Sequence, residues 1–468
     1  MRRVKIVATI GPASNSPEIL RKLITAGLDV ARLNFSHGTL EQHGRTIHTI
    51  REAALAAGRH VAILQDLQGP RIRIGSLSAS VAVSAGQVVT LAVEDGHADN
   101  ARIPVTYRQL PEDVKPGDRI LIDDGMIELV VESSSRDEVR CRVVAGGTIQ
   151  AHKGMNLPGV AVSAPTLGEK DRGDLAFGLA QGVDYVALSF VRGPEDLTMA
   201  REVIRTQGGD LPLIAKIERP EAVERLEQIL AVSDGIMIAR GDLAIETSPE
   251  AVPLIQKRII HACAERRVPV ITATQMLESM TGSPRPTRAE ASDVANAVFD
   301  GTDAVMLSGE TAAGRYPVEA VQTMARIVEA AEAGQETTRA PESPQAQASF
   351  PQAVCSAGAR AARETGAKVV VAFTESGTTA RLLSKERPPV PIIAYTPHEA
   401  IQRRMMLYWG VLPRAMRTIP NTDDLIRELE HSLRAEKLAD AGDRIVILLG
   451  APAGMKGGTN LMKLHTIT

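Results

Sequence analysis

Charged and hydroxyl side chains stand at two-residue spacing near the ends of short apolar runs. In LPLIAKIERP, residues 211–220, Lys216 and Glu218 close an apolar run that Pro220 then stops. Arg32, Asn34 and Ser36 alternate with Leu33 and Phe35, Asp66 closes VAILQD, Arg240 and Asp242 follow GIMIA, Thr274 closes VPVITAT, and Ser308 and Glu310 close AVMLSGE. In an extended strand a spacing of two puts side chains on one face, so Lys216 joins Glu218, and Arg32 joins Asn34 and Ser36. Two carboxylates, Glu218 and Asp242, suit a hard divalent cation, while Lys216 and Arg32 suit an anionic, phosphate-bearing substrate. Such a set can position a phosphoryl group and compensate its charge, which is most of what phosphoryl transfer requires. Gly241 adds a turn whose backbone N–H groups can face a carboxylate or phosphate. A lone Lys-x-Glu is as readily an ion bridge that satisfies itself at a strand end. Convergence of several strand ends on one face is what favours a site.

The elements that must position these groups can be read from periodicity. Eight short, β-branched apolar runs, VKIVATI, VARLNF, VAILQDL, YVALSF, LIAKIE, GIMIAR, VPVITAT and AVMLSGE, alternate with amphipathic stretches such as SPEILRKLITAG and PEAVERLEQILA. Eight strand-helix units predict a (β/α)8 barrel, with chemistry at the C-terminal ends of the strands, where the polar residues fall. The barrel is expected over residues 1–70 and 156–335. Between its parts, residues 71–155 show period-two alternation, as in VRCRVV, and predict a small β domain inserted in a βα loop. QGP (68–70) and NLPG (156–159) bracket it as candidate hinges, so it can serve as a lid or as a rigid decoration. Residues 336–351 are rich in Pro, Gln and Ser and predict a linker. Residues 352–468 restart βα alternation with AKVVVAFT, PIIAYT and RIVILLG, and predict a small open α/β domain.

Composition narrows the setting. The 468 residues carry 53 Lys and Arg against 56 Asp and Glu, a net charge of −3. No broad basic field for nucleic acid or an anionic membrane follows, so phosphate binding must be local. The basic start MRRVKIVATIGP is interrupted by Lys5 and Pro12, and no run approaches the length of a spanning helix, so a soluble cytoplasmic protein is expected. Cys141, Cys263 and Cys355 are odd in number and far apart, which supports neither a disulfide framework nor a zinc site.

In joint order, KIVATIGPAS, ARLNFSHG, LIAKIERPEAV, MIARGDLAIE, TATQMLESM, MLSGETAAGRYPVEAV and GGTNLMKL resemble the pyruvate kinase family over almost the whole chain. The start, with nothing ahead of the barrel, is similar to the bacterial form. The resemblance implies transfer of the phosphoryl group of phosphoenolpyruvate to ADP, giving ATP and pyruvate, with Mg2+ (Mn2+ as the alternative). It implies that Lys216 stabilises the transferring phosphoryl group and the enolate, and that Glu218 and Asp242 hold Mg2+. The substrate carboxylate would lie against the N–H groups of Gly241 and Asp242 and the Thr274 hydroxyl, with Arg32 near the phosphate. Asn34, His37 and Arg73 match nucleotide positions, Ser308 matches a residue of a water relay to the enol, and Asp124 in IDDG is a candidate for lid closure. A lysine that often contacts nucleotide phosphate is Gly193 here, and a frequent glycine after GDL is Ala244. Many members bind K+ through positions matching Asn34, Ser36, Asp66 and the Leu67 carbonyl, and carry Glu at the position of Arg71. With Arg71, Leu67, Gln68 and Ile74 this chain resembles the members that work without K+. A guanidinium would supply the charge that the ion otherwise brings.

FTESGTTAR follows a strand-like run and opens a helix-like one, so Thr374, Ser376, Gly377, Thr378 and Thr379 can serve either as an ordinary helix cap or as a phosphate cradle. The resemblance favours a pocket for a phosphorylated small-molecule effector, and it implies a homotetramer. Two other readings remain open from the sequence: a different Mg2+-dependent barrel enzyme of phosphoenolpyruvate or pyruvate, such as an aldolase or lyase, and a catalytically silent regulatory paralogue.

Overall fold

The computed structural model describes residues 2–70, 72–93, 102–334, 348–419, 421–450 and 458–468. Eight parallel strands close a barrel: β1 (Lys5–Thr9), β2 (Val30–Asn34), β3 (Ala62–Asp66), β4 (Tyr185–Leu188), β5 (Leu213–Ile217), β6 (Gly235–Ala239), β7 (Val270–Ala273) and β8 (Ala304–Leu307). Each strand pairs with its neighbours in sequence order, and β1 closes on β8 through Lys5 opposite Ala304. The strands are buried on both faces because helices cover the outside and side chains fill the inside. Val7, Leu64, Ile214, Met237, Ile271 and Met306 meet in that interior. Helices start where the sequence supplies caps: the Ser16 side chain accepts from the Ile19 N–H, and Thr39 forms a reciprocal capping box with Gln42.

The inserted domain leaves the barrel after β3. A six-stranded sheet runs in the order Met155–Asn156, Arg119–Ile122, Ile127–Ser134, Glu138–Ala145, Val88–Ala92 and Arg102–Pro104, beside a separate pair of Val81–Val83 with Gly147–Ile149. In VRCRVV the alternation holds: Val139, Cys141 and Val143 are buried and Arg140 and Arg142 exposed. The core of this domain also takes in Leu157, Val160 and Val162, so its packing continues beyond Met155. Gly69, in the connection out of β3, holds a φ of 68°, and a Cβ there would lie 3.0 Å from the Ser189 Cβ. Both observations require glycine at this corner.

The C-terminal domain is a five-stranded sheet in the order Val411–Ala415, Ile392–Thr396, Val369–Phe373, Arg444–Gly450 and Thr459–Thr466, parallel except for the last strand. Two of these strands were not expected. One is an edge strand containing Pro413, and the other alternates half-buried and exposed residues after Thr459 rather than reading as an apolar run. The helix Phe350–Thr365 starts at the edge of the expected linker, most of which lies outside the described residues.

This domain stoppers the foot of the barrel. Met406 and Leu407 join the barrel's interior cluster. Two buried carboxylates at the feet of strands bind its cations: Asp184 takes Arg403 (2.8 Å), and Asp303 takes both Lys385 (2.7 Å) and Arg387 (2.8 Å). Asp303 also accepts the Val270 N–H at 2.8 Å, so it ties β7 and β8 to the C-terminal domain. Asp303→Asn leaves two largely buried cations facing a neutral amide, and is expected to destabilise the chain by about 3–5 kcal/mol. A lowered urea midpoint measures this; an unchanged midpoint would show that the ion cluster does not hold the domains together.

Candidate active site

Lys216 is at the centre of the polar groups at the barrel mouth. Its Nζ donates to Ser189 Oγ (2.7 Å) and lies 2.9 Å from Glu218 Oε1 and 3.2 Å from Asp66 Oδ1. Burial alone would lower the Lys216 pKa, but the charges of Asp66 and Glu218 outweigh it and hold the ammonium well above the usual lysine range. Lys216 is therefore a fixed positive charge and not a proton donor in the free protein. The second Asp66 oxygen takes Arg32 Nε at 2.6 Å, while Arg32 Nη1 donates to Thr9 Oγ1 at 2.9 Å. Burial opposes the Asp66 charge, and Lys216 and Arg32 overcome it, keeping this carboxyl below its ordinary value.

The two proposed metal carboxylates lie on either side of the β5/β6 junction. Glu218 follows β5 and is 1% exposed; its Oε2 accepts the Phe190 N–H at 2.6 Å. Phe190 holds a φ of 55°, an unfavourable region for an aromatic residue and the kind of strain that gathers at functional sites. Asp242 lies in the first turn of the helix Arg240–Glu246, directly after β6. Burial first, and the Glu218 charge second, push its pKa up to about 7, with Asp124 of the inserted domain adding to the effect. Two carboxylates that repel in this way are the donor set that a divalent cation would relieve. Among the described residues no group of three or more His, Cys, Asp or Glu gathers as a metal cluster, so further ligands would come from water or substrate oxygens.

Thr274 follows β7 with a φ of 69°, and its Oγ1 accepts the Gly241 N–H at 2.8 Å and donates to the Ala273 carbonyl at 2.6 Å. Thus the Gly241 N–H, expected to face a substrate carboxylate, is engaged by Thr274 here. Ser308 follows β8; its N–H donates to Glu310 Oε2 (2.7 Å), while its buried Oγ has no hydrogen-bond partner. Two charges read from the sequence as part of the mouth are structural. Arg240 binds Asp293 (2.7 Å) and the Thr274 carbonyl (2.8 Å), and the fully buried Glu310 accepts the N–H groups of Ser308 and Leu277. Each is consumed in fixing the loops that follow β6, β7 and β8.

The remaining site residues fall around this centre. Asn34 Oδ1 accepts the Ser36 N–H (3.1 Å), and the Leu67 carbonyl accepts Ser189 Oγ (2.8 Å). His37 is exposed, with its N–H on the Asn34 carbonyl at 3.2 Å. Arg73 lies at the base of the inserted domain, with Nη1 on the His152 carbonyl at 2.9 Å. Arg71 lies outside the described residues. A Cβ on Gly193 would stand 2.1 Å from Arg225 Nη1, so that space is filled by the Arg225 guanidinium, which pairs with Glu195 at 2.5 and 2.9 Å. Ser189 and Thr9 were missed by sequence reasoning. Ser189 stands next to last in YVALSF as a hydroxyl near a strand end, the same signal that singled out Thr274 and Ser308.

Two family models match, one described as pyruvate kinase, barrel domain, over residues 1–321, and one as pyruvate kinase, alpha/beta domain, over residues 352–465. The chain belongs to the pyruvate kinase family. It is 46% identical over 475 residues to a pyruvate kinase of Mycobacterium intracellulare, covering all of this chain and 98% of that one. It is 45% identical over 472 residues to pyruvate kinase 2 of Synechocystis, covering all of this chain and 79% of that one. A solved pyruvate kinase structure from Cryptosporidium parvum superimposes with a TM-score of 0.95 at 38% identity, covering all of this chain and 96% of that one. The pyruvate kinase activity and phosphotransferase class expected from the motifs therefore hold for this chain, as does the barrel with inserted and C-terminal domains.

The Thr/Ser loop lies in the C-terminal domain, which packs on the foot of the barrel. Thr374, Ser376, Thr378 and Thr379 line a cavity with Thr418, Arg417 and Thr459, and Gly377 shapes the turn with a φ of 84°. Thr374 Oγ1 accepts the Gly377 N–H (2.9 Å), and the buried Thr379 hydroxyl bonds that of Thr459 (2.6 Å). All three cysteines are buried and free, and burial pushes each thiol up to about 12. They are inert packing residues. Among the described residues no helix is long and apolar enough to cross a membrane.

Proposed function

We propose that this chain transfers the phosphoryl group of phosphoenolpyruvate to ADP at the barrel mouth, with Lys216 as the fixed charge on which the transfer turns. The observation that carries this reading is the enclosure of Lys216 Nζ by Ser189, Asp66 and Glu218, close enough to Asp242 for their charges to interact. Lys216 stabilises negative charge that grows on the phosphoryl oxygens and on the enolate oxygen, where a preorganised cation acts most strongly. Arg32 holds the substrate phosphate, and Thr274 orients the carboxylate with Gly241 and Asp242. Glu218 and Asp242 hold Mg2+, with Mn2+ as a substitute, and the ion supplies charge neutralisation for the phosphoryl group. Asn34, His37 and Arg73 serve the nucleotide. Ser308, whose buried Oγ is unpartnered, belongs to a water relay that protonates the enol. Asp124, already felt by Asp242, marks the edge of the inserted domain that closes over the mouth. The test is formation of pyruvate and ATP from phosphoenolpyruvate and ADP, with and without Mg2+. No product with the metal present would overturn the reading.

The C-terminal cavity takes a phosphorylated effector, a sugar phosphate or nucleoside monophosphate, held by Thr374, Ser376, Gly377, Thr378 and Thr379. Thr378→Ala with Thr379→Ala is expected to weaken activation by such an effector severalfold while leaving saturated turnover unchanged. Substrate curves of both proteins with glucose 6-phosphate and with adenosine 5′-monophosphate check this; a wild-type curve that neither moves removes the regulatory claim. A cytoplasmic homotetramer is the assembly that fits. The exposed Met462 and Leu464 on the edge strand Thr459–Thr466 offer one contact surface.

A further inference from the structure

Strand register brings a neutral hydroxyl to Lys216. Leu188 at the end of β4 pairs with Ala215 of β5, and Ala187 pairs with Asp66 of β3. The next residue, Ser189, therefore lies between Lys216 on one side and the Asp66–Leu67 end of β3 on the other. It is 2% exposed. Its hydroxyl has one hydrogen to give and two lone pairs to offer. The Leu67 carbonyl at 2.8 Å is a nearer acceptor for that hydrogen than Asp66 Oδ1 at 3.4 Å, so the lone pairs face Lys216 Nζ at 2.7 Å. An ammonium carries three hydrogens, and each has an acceptor here: Ser189, Glu218 and Asp66. The two carboxylates hold the charge of the group, and Ser189 adds none.

The corner that carries Ser189 is tightly held. Phe190, at a φ of 55°, sends its N–H to Glu218 at 2.6 Å. On the other side stands Gly69, at the root of the inserted domain. A Cβ there would lie 3.0 Å from the Ser189 Cβ, 3.2 Å from Phe190 Cδ2 and 3.3 Å from the Ser189 carbonyl oxygen. A strained corner packed this closely keeps a hydroxyl to one direction. We infer that Ser189 is a positioning residue for the phosphoryl transfer: it aims the Lys216 ammonium without contributing to its charge, a role that rests on Lys216 being the cation of that reaction. Through the Leu67 carbonyl it also ties that aim to the chain that leads into the inserted domain. Without the hydroxyl, the ammonium keeps its charge but is free to settle against either carboxylate. A displacement of about 1 Å in such a group costs up to roughly a hundredfold in rate. Removing Ser189 thus separates where the charge points from whether it is present.

Steady-state kinetics of full-length Ser189→Ala, with Lys216→Met as the reference, tests this role. Ser189→Ala is expected to lower kcat about tenfold to a hundredfold, less than Lys216→Met does, while KM for phosphoenolpyruvate stays within roughly threefold. Ser189→Thr keeps the hydroxyl and is expected to return kcat to within roughly threefold of the unmodified enzyme. Binding of Mn2+, followed by the electron paramagnetic resonance signal of the free ion, is expected to be the same in Ser189→Ala, because Glu218, Asp242 and the Phe190 N–H all remain. The role is overturned if Ser189→Ala keeps kcat within roughly threefold, or if Ser189→Thr is impaired as deeply as Ser189→Ala. It is equally overturned if Mn2+ binding weakens in step with kcat, which would make Ser189 a packing residue of the metal carboxylates. A crippled Lys216→Met beside an unimpaired Ser189→Ala removes this role alone. A Lys216→Met variant within about tenfold of the unmodified enzyme removes the reading of Lys216 and this role with it.

Discussion

Lys216→Met is expected to lower kcat by about three orders of magnitude or more, roughly 4 kcal/mol of transition-state stabilisation, with little change in phosphoenolpyruvate binding. Methionine preserves most of the volume and removes the charge. In the proposed site the ground-state substrate would retain Arg32 and the two carboxylates Glu218 and Asp242 as partners, whereas the charge developing during transfer would lose the cation placed for it. An interaction made chiefly in the transition state appears in kcat and not in substrate affinity. The variant also leaves Glu218 without its 2.9 Å ammonium partner, so its unfolding midpoint should be compared with that of the unmodified protein. Steady-state kinetics at saturating Mg2+ and ADP decides the matter. A variant within tenfold of the unmodified enzyme would remove Lys216 from the chemistry.

Full activity is expected in a buffer holding Mg2+ and a bulky organic cation but no K+, whereas Arg71→Glu is expected to depress activity about a hundredfold until K+ is added. The groups that would ligate K+ have partners within the chain. Asp66 is shared by Lys216 at 3.2 Å and Arg32 at 2.6 Å, and the Leu67 carbonyl accepts Ser189 Oγ at 2.8 Å. A further monovalent cation would enter a cluster that already holds two positive side chains, and Arg71 adds a third permanent charge nearby in sequence. Repulsion between unit charges a few ångströms apart amounts to about 4 kcal/mol near a protein surface. Glutamate at this position reverses the sign and creates a need for a cation. Titration of K+ into both proteins reads the difference directly, and strong K+ activation of the unmodified enzyme would return Asn34, Ser36, Asp66 and Leu67 to the role of ion ligands.

Much of this was legible in the residues. Barrel strands are buried on both faces, so they read as continuous apolar runs, and a charge within such a run can survive only near a strand end. That rule pointed to Lys216, Glu218, Asp66 and Thr274 without any fold in view. It missed the edge strand Val411–Ala415, because Pro413 argues against a strand unless the strand lies at an edge, and edge position is not a local property. It also missed Ser189, whose hydroxyl matters only because β4 sets it 2.7 Å from Lys216.

The sequence by itself determined the barrel's element order, the insertion after β3, the family and most of the polar residues at the mouth, since all depend on composition and spacing along one strand or helix. Only the tertiary structure decided which charges face one another. Asp66 and Lys216 are 150 residues apart, and nothing local in either says that one carboxylate would hold both Lys216 and Arg32. Likewise Arg240 and Glu310 carry the same strand-end signal as Lys216, yet their charges are taken up by Asp293 and by loop N–H groups. Closing the barrel supplies or withholds these partners, and in a buried site the partner determines whether a charge is available for chemistry.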